Sequence, residues 1–165
     1  MKRIFYLIAA VIGLSLTSSC GKSFFDQVLL EGNWGLIRYE MTTSENGKVI
    51  EDLITDCDPF NPKSEMDTQL AIRNSGSSNY YEFSEYAWDR ARGVWTLMSK
   101  HNYIVRDNVL YMTDTGREVE YGHFSATSSN LTIESIDVVE EVIAGVVIQH
   151  STVSRSTYRR LSEII

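Results

Sequence analysis

From residue 31 onward the chain is a train of short runs rich in Val, Ile, Thr, Tyr and Trp. Turn-forming residues break these runs every 8–14 positions. β-branched and aromatic side chains suit a pleated, half-buried backbone, and even punctuation at this spacing is the pattern of a sandwich or barrel. The runs are 34–41, 68–73, 80–88, 94–105, 109–113, 117–126 and 131–138, with a last apolar run at 142–148 continuing to Arg160. Asn46-Gly47 is a hairpin signal after the first run, because both residues tolerate positive φ. Proline occurs only at 59 and 62, so it interrupts none of these runs.

The expected fold is all-β: an antiparallel up-and-down barrel of about eight strands, since closure removes the two edges an open sheet would expose. Val119 and Tyr121 alternate with Glu118 and Glu120, as in a half-buried strand. Leu131 and Ile133 have one parity and Ile136 and Val138 the other. A bulge near Glu134-Ser135 would place all four on one face. Residues 51–66 are the irregular exception, with five acids and both prolines. They read as a short helix or a long loop, and long loops in compact domains are often functional.

The first twenty residues carry an address. Lys2 and Arg3 precede an uncharged run from Ile4 to Leu16, and small residues 17–19 lead to Cys20. That run is too short for a membrane span, which needs about 20 residues. The order is that of a secretory signal peptide. Residues 16–20 resemble a bacterial lipobox, although Leu16 stands four positions before the cysteine and Thr17 occupies the usual leucine position. The resemblance implies a signal peptide at 1–19, lipidation of Cys20 and a tether through residue 30. Secretion with an unmodified Cys20 is the alternative. Lys2 and Arg3 would leave with the leader, taking the formal charge from −7 to −9. Cys57 would then be the one remaining thiol. Its acidic neighbours Asp56 and Asp58 disfavour a thiolate, so it reads as a small apolar side chain.

Gly32-Asn33-Trp34 opens the first run, YYEFSEYAW lies midway, and Tyr158-Arg159-Arg160-Leu161 closes the chain's last run. This ordered set, behind a lipobox-like leader, resembles the short lipocalin-like domains of Gram-negative lipoproteins. The resemblance spans most of residues 31–161, with the whole domain taken as 31–165. It implies that Trp34 plugs one end of the barrel, with Arg159 or Arg160 packed over it. It also implies an outer-membrane lipoprotein. Lys22 and the single Asp26 after Cys20 favour the periplasmic face over the cell surface.

Catalytic signatures are absent: the sequence has no G-x-S-x-G, Walker loop, H-E-x-x-H or C-x-x-C. His101, His123 and His150 are isolated. Asp56, Asp58 and Asn61 could offer oxygen ligands, but Asn61 stands where an EF-hand loop needs glycine. The sequence therefore implies no enzyme activity, no metal and no cofactor, and a pI near 4.9 argues against nucleic acid. The aromatic middle runs are the most suggestive feature, because an apolar cavity with a few hydroxyls is the usual small-molecule site. Tyr86, Trp88, Trp95 and Tyr103 are the candidates for the open side of the barrel, binding a small hydrophobic or amphipathic ligand. The other reading is a filled barrel acting through a surface patch or the 51–66 segment.

Overall fold

A computed structural model describes residues 29–163, other than 65, 78 and 115. The leader, Cys20 and most of the tether lie outside the described residues. Nine strands follow in chain order: β1 (Gly32–Glu45), β2 (Lys48–Asp56), β3 (Thr68–Asn74), β4 (Tyr80–Asp89), β5 (Val94–Arg106), β6 (Val109–Met112), β7 (Val119–Ala126), β8 (Asn130–Ile143) and β9 (Val146–Leu161). Neighbours pair antiparallel from β3 to β9, and β1 pairs with both β3 and β9. The result is a closed eight-strand antiparallel barrel with β2 as an additional strand. Closure satisfies the strand edges that an open sheet of this length would expose.

One end of the barrel is packed solid. Trp34, Ile72, Val105, Leu110 and Leu131 are almost wholly buried there, with Leu30 beneath them. Trp34 Nε1 donates to the Leu30 carbonyl at 2.9 Å. The guanidinium of Arg160 lies 4.2 Å from the Trp34 ring centroid. The strand β1 starts at this plugged end and runs to the open end.

Beyond the barrel, the β1–β2 and β8–β9 hairpins join into a four-stranded paddle in the order β2-β1-β9-β8. Their tips are tied by Asn46 N–H to the Gln149 carbonyl at 2.8 Å and by Gln149 N–H to Asn46 Oδ1 at 3.0 Å.

The irregular segment is narrower than the sequence suggests. Residues 51–56 belong to β2, because the Asn46-Gly47 turn has positive φ at both positions and sends the chain straight back along β1. The acids of 51–56 sit on a largely exposed strand, and only 57–67 is loop. The loop is built around Asp67, whose buried carboxylate accepts from the backbone N–H groups of Lys63 and Ser64 at 2.8 Å. Two further expectations are corrected. The β8–β9 register is unbroken, so no bulge forms at Glu134-Ser135. Leu131 and Ile133 face the core while Ile136 is 65% exposed. The 142–148 run is also split by a turn at Ala144-Gly145, so Val142 and Ile143 end β8 and Val146 starts β9.

Candidate functional site

The open half of the barrel is a cup. Strict alternation supplies its wall, since side chains two apart on a strand share a face. On β9 the sequence Ser154-Arg155-Ser156-Thr157-Tyr158 sends Ser154, Ser156 and Tyr158 inward. On β5 the inward set is Ser99, His101 and Tyr103; on β4 it is Phe83 and Glu85. Tyr121 of β7 and Ser135 of β8 complete the ring. The inner cavity has a volume of about 160 Å³. A shallower recess of about 320 Å³ adjoins it, sharing Glu85, Tyr121, Ser154, Ser156 and Tyr158 and adding Tyr39 and Met66.

The lining is aromatic and rich in hydroxyls. Phe83 and Tyr103 have ring centroids 4.5 Å apart, and Tyr103 and Tyr121 meet edge to face at 5.4 Å. Burial raises the hydroxyl pKa of Tyr103, Tyr121 and Tyr158, and the negative charge of Glu85 adds to each shift. All three phenols therefore stay protonated at neutral pH and can donate as well as accept. Glu85 accepts from Ser99 Oγ at 3.3 Å. His101 Nδ1 lies 2.5 Å from Asp114 Oδ2, and Asp114 also accepts from Asn102 N–H at 2.9 Å. These bonds hold the Asp114 carboxyl below the usual carboxylate range.

The structure divides the four aromatic candidates. Tyr103 lines the cup at 4% exposure. Tyr86, Trp88 and Trp95 sit together on the outer wall, around a groove shared with Pro59, Phe60 and Pro62 of the 57–67 loop. Trp88 and Trp95 meet edge to face at 5.5 Å. On β4 the division is simple parity: 83 and 85 point in, 86 and 88 point out. On β5 a bulge is responsible. Glu85 pairs with Ser99 but Tyr86 pairs with Leu97, so Met98 is the extra residue. It reverses the parity above it, and Trp95 faces outward although it lies eight positions from inward-facing Tyr103.

Of the two arginine candidates, Arg160 stacks on Trp34, while the Arg159 side chain is exposed. Glu85 and the serines at 99, 135, 154 and 156 are cup residues that the sequence reading passed over. The Ser-x-Ser-x-Tyr alternation at 154–158 was their one local signal. Among the described residues, no group of three or more His, Cys, Asp or Glu is placed to hold a metal ion. Asp58 of the acidic segment instead accepts from Phe60 N–H at 3.0 Å, a local turn bond. Cys57 packs against the core, and burial together with Asp67 pushes its thiol up to about 11.

The protein-family models contain no match to this chain, and neither do the curated proteins.

Proposed function

We propose that this protein is a membrane-tethered binding module that holds a small amphipathic molecule, without covalent chemistry, in the open end of its barrel. The observation that carries this reading is the contrast between the two halves of the interior. The Trp34 end is filled by close-packed apolar side chains, whereas the other end is a cup with hydroxyl groups spaced around aromatic rings. A cavity of mixed lining that opens to solvent is the usual form of a small-molecule site. The serines and tyrosines suit a ligand with a polar part, and Phe83 and Met112 suit its apolar part.

The lipobox-like leader supports a lipid on Cys20, and the lipocalin-like order of motifs agrees with the barrel. Acyl chains contribute about 0.8 kcal/mol per buried methylene, enough for several to hold a domain on a bilayer. Leu29 and Leu30, the last residues of the tether, meet β1 at the plugged end, opposite the cup's mouth. Lys22 and the single Asp26 after Cys20 favour the periplasmic face of the outer membrane.

Native mass spectrometry of the purified chain, before and after denaturation, tests the reading. The expected result is a reproducible small-molecule adduct that disappears on unfolding. A bare mass, together with no protection by a panel of small amphipathic compounds in thermal unfolding, would refute it.

A second reading rests on the paddle. Its outer face presents Ile136, Val138, Val142, Val147 and Val153, all exposed. Apolar side chains clustered in this way mark interaction surfaces. In that reading the protein is an accessory lipoprotein, and Ile136→Lys would abolish partner capture from membranes while leaving the fold intact.

A further inference from the structure

Among the described residues, one carboxylate of the cup has no counter-charge. Glu85 projects into the cavity from β4 and makes no ion pair among the described residues. It accepts a hydrogen bond at Oε2 from a neutral hydroxyl, that of Ser99. On β5, β1 and β9, Lys100, Arg38 and Arg155 are turned to the other face, each paired there with a carboxylate. Lys100 binds Glu82 at 2.9 Å, Arg38 binds Glu40 at 2.9 Å, and Arg155 binds Glu134. His101 does face the cup, but Asp114 holds it, so any charge it gains is matched by its own partner. Glu85 therefore leaves a net negative charge at the wall of a partly enclosed cavity.

Around that charge stand aromatic rings. Phe83, Tyr103, Tyr121 and Tyr158 line the same cavity, and Tyr103 and Tyr121 are set at 62° to each other. Aromatic faces carry negative electrostatic potential and attract cations, the more strongly when water is excluded. A carboxylate beside several angled rings is complementary to a small charged group with an apolar surface. An anion would be repelled by Glu85, and a neutral ligand would leave the carboxylate uncompensated.

Resting on the cup as a binding site, we propose that its ligand is a small organic cation, an amine or quaternary ammonium, with Glu85 as the counter-charge and Tyr103 and Tyr121 as ring partners. The protein's net charge of −7 would assist capture by raising the local concentration of cations. A trimethylammonium or short alkylamine head is small enough for the inner cavity of about 160 Å³.

The test uses choline and its uncharged isostere 3,3-dimethylbutan-1-ol, which differ in the nitrogen and its charge. Both are titrated into the full chain and followed by isothermal calorimetry and by chemical-shift changes of the tyrosine rings. Choline is expected to bind at least tenfold more tightly than the alcohol. Glu85→Gln keeps the shape of the side chain and should remove that preference. Tyr121 is 42% exposed, so Tyr121→Leu spares the packed core; it should weaken choline severalfold, while Tyr121→Phe retains it. Circular dichroism and thermal unfolding confirm that each variant folds, and if Glu85→Gln does not fold, the Tyr121 pair decides. Equal binding of the two probes to the unsubstituted chain would overturn the cation assignment and leave the cup as a binding site. Binding of neither would overturn both.

Discussion

Arg160 closes the plugged end of the barrel by gripping the chain on the far side of Trp34. Its guanidinium stacks on the indole at 4.2 Å, donates to the Glu31 carbonyl at 3.0 Å and donates to the Leu29 carbonyl at 2.5 Å. One side chain of the last strand thus fixes the segment entering the first. Lysine cannot reproduce this, because a single ammonium lacks the planar fork that spans two acceptors while stacking. Arg160→Lys is expected to cost about 1–2 kcal/mol and Arg160→Ala about 2–3, from lost charge-assisted hydrogen bonds and the ring contact. Urea unfolding measures both. A lysine variant as stable as the parent would show that the fork contributes nothing.

Gly122 marks the closest approach of two strands. A Cβ at that position would lie 2.1 Å from the Glu134 carbonyl oxygen, a backbone atom that cannot rotate away. Gly122→Ala must therefore push β7 from β8 and should destabilise the barrel by about 3 kcal/mol, at the upper end of overpacking costs. Gly47→Ala is the comparison. Nothing lies within 4 Å of its added Cβ, and its φ of +80° leaves only the left-handed strain of about 1–2 kcal/mol. Thermal unfolding of the two variants should rank them in that order, and the reverse order would contradict the close approach.

The sequence made most strands legible because β-branched runs and turn residues are local signals. It did not reveal the site, because the cup is assembled from all seven strands from β3 to β9. Only closure of the barrel brings Glu85 near Tyr121 and Tyr158. Two local features also misdirect a parity reading. The extra residue Met98 reverses β5, which separates Trp95 from Tyr103. The absence of any break at Ser135 leaves Ile136 and Val138 facing solvent, where alternation with a bulge would have buried them. Trp34 was legible because its motif lies beside it in the chain. Glu85 was not, because nothing in YYEFSEYAW distinguishes it from the outward-facing Glu82 except its place in the closed sheet.

The tip of the β8–β9 hairpin is strained in a way that can be relieved. Ala144 has φ +50° and Gly145 has φ +82°, the pair of positive values that a tight two-residue hairpin requires. Glycine adopts this at little cost, but alanine's Cβ opposes it. Asparagine tolerates the left-handed region better, so Ala144→Asn should stabilise the protein by about 0.5–1 kcal/mol. The site is exposed, so no core packing offsets the gain. An unfolding midpoint equal to or below the parent's would show that the turn is not under this strain.

Asp114 gives the cup's rim a pH-dependent contribution to stability. The Asn102 N–H and the His101 ring hold its carboxyl below the ordinary range. A carboxyl whose pKa is depressed by folding stabilises the native state above its unfolded value, about 3.9, and that contribution fades as pH falls through the lower folded value. The group is partly solvent-exposed, so the contribution is modest, about 1 kcal/mol. Asp114→Asn should therefore lower the urea midpoint at pH 7 and at pH 5 relative to the parent. The gap should narrow as the pH is brought below about 4, where the carboxyl of the unfolded parent begins to take up a proton while the folded one still resists. A gap of constant size down to pH 2.5 would mean that packing of the side chain, rather than its charge, supplies the stability.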